Sequence, residues 1–229
     1  MRHAALDHVE AWVFDLDNTL YPASCNLFAQ IDLRMKAFIR EVLGCGEARA
    51  HEVQKAYFLA HGTTLRGLMD NHGVDPEVFL ARCHEIDHSV VPPSPALDKA
   101  LHRLAGRKLI FTNGSVRHAE AVTGRLGVSH HFEAVFDIAA ADYVPKPAPG
   151  PYRALLARHG LDPSVTAFVE DSARNLLPAH ELGMTTVWVR HDTHWATDGA
   201  DGDHVHHETD DLVEWLEALL AARARAGIA

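Results

Sequence analysis

Two carboxylates, Asp15 and Asp17, follow directly on the apolar run Ala11-Trp12-Val13-Phe14. Side chains at i and i+2 of an extended segment share a face, so both acids can address one site. Such a pair can supply a nucleophile and an acid–base group, or hold a hard cation through oxygen. Alone, it can equally be a turn whose acids cap a helix. Three other clusters stand at the ends of short apolar runs or beside proline: Thr112-Asn113-Gly114, Lys146-Pro147 and Glu170-Asp171-Ser172. Each has an ordinary reading by itself. Thr-Asn-Gly is a common turn, Lys-Pro a solvated loop, and Glu-Asp-Ser a helix start where the dipole favours acids.

The elements that must position these residues can be read from the same runs. Residues 11–14, 108–111, 166–169 and 185–189 are short and almost wholly apolar, as strands buried on both faces are. A weaker run covers 134–138. Helical patterns at about 116–126, 150–159 and 172–182 alternate with them, and Gly127, Gly160 and Gly183 close them as C-terminal glycines do. Strand, helix and strand in alternation predict an α/β fold with a doubly wound parallel sheet. Ligands of such sheets bind beyond the carboxyl ends of the strands, where Asp15, Thr112 and Glu170-Asp171 would emerge together.

The stretch 23–91 reads differently. Leu27, Phe28, Ile31, Leu33, Met35, Phe38, Ile39 and Leu43 recur at helical spacing, and further helical patterns lie around 57–69 and 78–86. An all-helical insert at 23–91 is expected, within a core made of 1–22 and 92–229. The chain returns through the stiff Pro92-Pro93-Ser94-Pro95. Residues 192–211 read as a polar surface loop before a last amphipathic helix at about 211–225.

Composition limits the partners. With 31 acidic against 21 basic residues the net charge is −10, and the long-range field repels nucleic acid and anionic membranes. A site for an anion in such a chain must be made locally positive by metal, lysine and backbone N–H groups. Three scattered cysteines suit a reducing, cytoplasmic setting, and the first residues do not read as a signal peptide. No apolar run reaches the ~18 residues of a membrane span.

Taken together and in order, Asp15-Leu16-Asp17, Thr112-Asn113-Gly114, Lys146-Pro147 and Glu170-Asp171 resemble the four motifs of the haloacid dehalogenase superfamily. The resemblance covers about residues 9–190 and implies a Rossmann-like core with a helical C1 cap. It implies Asp15 as nucleophile, forming an aspartyl-phosphate, and Asp17 as general acid and then base. Thr112, Asn113, Gly114 and Lys146 are implied to bind phosphate, with Thr112 and Lys146 also counted as catalytic. Mg²⁺ is the implied cofactor, held by Asp15, Asp171, the main-chain carbonyl of Asp17, and Glu170 directly or through water. Asn175 would brace that loop.

The presence of Asp17 favours phosphate-ester hydrolysis over dehalogenation. Asp15-Leu16-Asp17-Asn18-Thr19-Leu20-Tyr21-Pro22 and Gly62-Thr63-Thr64-Leu65-Arg66-Gly67-Leu68 resemble the pyrimidine 5'-nucleotidase branch. The expected enzyme is therefore a monomeric or homodimeric phosphatase of small phosphorylated metabolites, pyrimidine nucleoside 5'-monophosphates first. The alternatives are phosphoglycolate or a sugar phosphate as substrate, a phosphomutase, or a non-catalytic binding module. A rival site for zinc or nickel is His204, His206 and His207, since imidazole suits those metals; a solvated loop or edge strand is the plainer reading.

Overall fold

The computed structural model of the chain describes residues 6–191 and 196–227. The reading of the first five residues and the start of the polar tail at 192–195 lie outside the described residues. Six parallel strands form one sheet in the order β3-β2-β1-β4-β5-β6. They are β1 (Ala11–Phe14), β2 (Arg107–Phe111), β3 (Ala134–Phe136), β4 (Thr166–Glu170), β5 (Thr185–Val189) and β6 (His207–Thr209). β1 is central and buried throughout, as its unbroken apolar run requires. Helices cover both faces: α5 (Pro95–Arg103), α6 (Val116–Leu126) and α9 (Leu212–Arg225) pack on one, α7 (Pro149–His159) and α8 (Ala173–Glu181) on the other. This is the expected doubly wound α/β sheet.

The register decides which residues meet. Phe14 stands opposite Ile110 on β2 and Val169 on β4, so the next step along each strand brings Asp15 level with Phe111 and Glu170. The Asp15 amide still donates to the Val169 carbonyl at 2.8 Å, which anchors the acid as the chain leaves the sheet.

Between β1 and α5 lie four helices, α1 (Leu27–Leu43), α2 (Glu47–His61), α3 (Thr64–His72) and α4 (Pro76–Cys83), around their own apolar cluster of Phe38, Ile39, Val53, Leu68 and Phe79. The expected helix over 57–69 is broken in the structure. Gly62 at φ 82° ends α2, and Thr63 caps α3 by accepting the Arg66 amide at 3.1 Å. Gly67 then lets α3 lie against α2, since a Cβ there would stand 2.4 Å from Tyr57 Cβ and Cγ. Gly67→Ala is expected to destabilise the protein by about 1–3 kcal/mol through this overlap, read as a lower denaturant midpoint. An unchanged midpoint would mean that the helix pair yields freely.

The polar tail also departs from a plain loop: its end pairs as edge strand β6, with His207 opposite Val187. Three residues without an apolar run carry too weak a periodicity to register as a strand.

Candidate functional site

At the carboxyl edge of β1, β2 and β4 a cavity of about 460 Å³ opens between the sheet and helices α1–α4. Its floor is polar. Asp15, Thr112, Lys146, Glu170 and Asp171 are all buried there, although Lys146 comes from a loop that the strand pattern does not place. Lys146 Nζ is the hub. It donates to Asp15 Oδ1 at 2.6 Å, Glu170 Oε2 at 2.7 Å and the Phe111 carbonyl at 2.9 Å. Asp15 Oδ2 accepts from the Thr19 hydroxyl at 3.2 Å.

Asn113 has a role that the sequence did not suggest. Its Oδ1 accepts the Lys146 amide at 2.9 Å and its Nδ2 donates to the Lys146 carbonyl at 3.4 Å, which fixes the lysine's backbone. Thr112 Oγ1 accepts the Gly114 amide at 2.9 Å, tightening the turn that leads into α6, and a turn at a helix start favours an anion.

The charges do not balance. Three carboxylates, Asp15, Glu170 and Asp171, keep oxygens within 4.8 Å of one another, and one ammonium group faces them. Burial, then neighbouring acids, push Asp15 and Asp171 up to about 7 despite Lys146. Glu170 is also driven to about 7, by burial first and by Asp171 against the opposing lysine. Burial alone would lower Lys146, but Asp15 and Glu170 reverse this and raise it. Ser172 Oγ and Asn175 Oδ1, in the same lining, are buried without a hydrogen-bond partner. Hard oxygen donors, surplus negative charge and orphaned oxygens together suit an oxygen-seeking divalent cation such as Mg²⁺.

Asp17 is set apart from that group. Its Oδ1 accepts from Tyr21 Oη at 2.6 Å and from His118 Nε2 at 2.8 Å. Burial would raise its pKa, but His118 and then Tyr21 more than offset this and lower it to about 2. Sequence reasoning missed Tyr21, His118 and His191, whose Nε2 lies 2.8 Å from Asp171 Oδ2. His118 stood among eighteen histidines, and no spacing singled it out.

The profile of haloacid dehalogenase-like hydrolases matches residues 9–183. The chain belongs to that family. Among curated relatives, Phosphate metabolism protein 8 of Saccharomyces cerevisiae is 25% identical over 76% of this chain and 60% of that protein, so the chain spans less than two thirds of that relative's length. Glyceraldehyde 3-phosphate phosphatase of Methanopyrus kandleri is 28% identical over 80% of this chain and 84% of that protein. A haloacid dehalogenase-like hydrolase structure from Streptococcus pneumoniae superposes with a TM-score of 0.61 at 15% identity, over 92% of this chain and 98% of that one, and shows the shared fold.

The histidines first considered as a metal site do not gather. His204 Nε2 lies 3.1 Å from the Ala173 carbonyl, His206 Nε2 lies 3.1 Å from His180 Nδ1, and the His207 ring stands 6.1 Å from that of Trp215. A different group, Asp98, His130 and His131, does converge. The His131 contact to Asp98 is 2.7 Å, which an ordinary ring N–H to carboxylate hydrogen bond explains.

Proposed function

We infer that this chain is a Mg²⁺-dependent phosphomonoesterase working through an aspartyl-phosphate on Asp15. We further assign it nucleoside 5'-monophosphates as substrates, pyrimidine ones by preference. One observation carries the reading: the Asp15 carboxylate, with Lys146 at 2.6 Å, lies at the floor of a cavity whose upper walls are apolar. Its position at the carboxyl end of the central strand leaves the acid facing the cavity.

Asp15 attacks phosphorus as the ester P–O bond breaks, and Asp17 passes a proton to the leaving oxygen. Asp17 then takes a proton from water, whose oxygen attacks the phosphoaspartate and frees Asp15 and inorganic phosphate. Held at about 2, Asp17 is ionised at rest. The proton for the first half can arrive on the ester itself, whose second pKa is ~6. Thr112 and the Asn113 amide are assigned to hold the phosphoryl oxygens, joined by Lys146 and the Gly114 amide as each exchanges a hydrogen bond within the site for one to phosphate.

When bound, Mg²⁺ supplies positive charge between carboxylate and phosphate, which otherwise repel by several kcal/mol. Asp15 and Asp171 would hold it, with the Asp17 main-chain carbonyl as the family resemblance implies. Glu170, whose Oε2 accepts from Lys146 and whose Oε1 accepts the Ser172 amide at 3.1 Å, would join them directly or through water. Asn175, whose buried Oδ1 stands beside that loop without a hydrogen-bond partner, is assigned as its brace.

We assign residues 23–91 as a cap that selects the substrate. Phe28, Ile31, Phe58, Leu59 and Phe79 line its side of the cavity, and apolar, aromatic walls suit a planar base better than a bare sugar. The second reading, a small sugar or triose phosphate, is supported by the similarity to the Methanopyrus glyceraldehyde 3-phosphate phosphatase. A panel of phosphate esters with purified protein and Mg²⁺ separates the two. UMP and CMP are expected to exceed sugar phosphates and phosphoglycolate in kcat/KM by roughly tenfold or more, the scale at which an apolar pocket discriminates. Rapid turnover of another ester with UMP and CMP untouched would remove the nucleotidase assignment.

A further inference from the structure

We propose that His118 is a positioning residue that, with Tyr21, aims the Asp17 carboxylate at the leaving oxygen, and that His88 and His84 of the helical segment hold His118 in place. The inference rests on the assignment of Asp17 as proton carrier. Both described hydrogen bonds to the Asp17 carboxylate fall on Oδ1, from Tyr21 at 2.6 Å and His118 at 2.8 Å. With that oxygen engaged, Oδ2 is left toward the phosphate-binding turn, 3.8 Å from where a Cβ on Gly114 would stand. Two donors on one oxygen fix the torsion that a free aspartate would leave broad.

His118 is itself tightly set. Its side chain is fully buried, its amide donates to Ser115 Oγ at 3.3 Å, and its Nδ1 lies 3.1 Å from His88 Nε2. An ionised carboxylate only accepts, so His118 donates to Asp17 through Nε2. Its other ring nitrogen, Nδ1, pairs with His88 Nε2. The ring of His84 stacks on that of His118 at 4.4 Å between centroids and 12° between planes, while its own Nδ1 lies 3.0 Å from Ser115 Oγ. His84 directly follows α4 and His88 begins a short 3-10 turn at His88–Val90. Asp17's orientation is thereby coupled to the seating of the helical segment on the sheet.

The test compares two leaving groups in wild type, Tyr21→Phe, His118→Ala, His118→Gln and His88→Ala. A p-nitrophenolate departs without a proton, whereas an alkoxide needs one. In the half-reaction that forms phosphoaspartate, read as the single-turnover rate of alcohol release, an aim defect should therefore show only with the second. The hydrolytic half, where Asp17 takes a proton from water, is common to both esters. His118→Ala is expected to lower the single-turnover rate of an alkyl phosphate at saturating substrate by ~10–100-fold, the scale of lost support to a site residue, with KM within about threefold. It should change the single-turnover release of p-nitrophenolate by less than about threefold.

Tyr21→Phe, which keeps the buried shape, should show the same split. His118→Gln, whose Nε2 can still donate, should recover most of the loss, and His88→Ala should show a smaller version. Equal losses of the single-turnover rate on both esters in Tyr21→Phe, or a His118→Gln variant as slow as His118→Ala on the alkyl ester, would overturn the proposal. Wild-type protein inert toward every ester would instead remove the phosphatase reading beneath it, so the two failures are distinguishable.

Discussion

Asp15→Asn is expected to lower kcat on the order of 10⁴-fold or more, because an amide cannot accept the phosphoryl group and no second nucleophile stands at that point. The fold should survive. Asp15 is one of three buried carboxylates around Lys146 and is already pushed up to about 7, so its charge is poorly accommodated. Replacing it by a neutral amide of the same shape relieves repulsion with Glu170 and Asp171 while giving up one hydrogen bond from Lys146. The net change in stability is expected to stay within about 1–2 kcal/mol, the scale of one hydrogen bond to a charged group. Two measurements belong together: turnover with acid-quench trapping of labelled phosphoenzyme, and a denaturant melt. Turnover above a tenth of wild type in a folded variant would rule out the covalent route.

The sheet was legible because β1, β2, β4 and β5 are short apolar runs whose periodicity allows little else, and the glycines after 126, 159 and 182 mark where helices stop. The gathering of the site followed from one rule, that polar residues at the carboxyl ends of neighbouring parallel strands meet. What was not legible depends on contacts distant in sequence. His118 reaches Asp17 across 101 positions, and only the packing of α6 against β1 brings them together. The break between α2 and α3 depends on Gly62, which inside a helical pattern reads no differently from a tolerated glycine. Asn113 looked like a turn residue, since its clamp on Lys146 spans 33 positions. The motif at 62–68 carried a family resemblance whose local work was not legible: Gly62 stops a helix, Thr63 caps the next, and Gly67 lets the two touch, while Gly62, Thr63, Thr64 and Leu65 also line the cavity.

Lys146→Met tests the balance of charge from the other side, and its cost should be felt in stability as well as rate. The side chain is 2% exposed, and methionine fills similar volume without the ammonium. Its loss leaves Asp15, Glu170 and Asp171, with oxygens within 4.8 Å of one another, facing no buried cation. Removing one partner of a buried ion pair typically costs about 3–5 kcal/mol. The pH dependence has a definite sign. All three acids are pushed up to about 7 from ordinary carboxylate values of 3.8 or 4.5, so the folded state binds more protons than the unfolded one between those limits. Their contribution to stability is complete below about 4 and is lost as pH rises through about 7. In the variant, without the lysine to favour the charged forms, this fall should be steeper and reach higher pH. Denaturant melts in a chelator should therefore show a small deficit at pH 5 and the full deficit at pH 8, and millimolar Mg²⁺ should narrow the gap at pH 8 by stabilising the ionised acids. kcat should fall by about 10³-fold, the scale of a lost preorganised donor to the transferring group, and Mg²⁺ should not restore it. A deficit equal at both pH values would mean that Lys146 matters by packing alone, and that the three acids do not share one electrostatic centre.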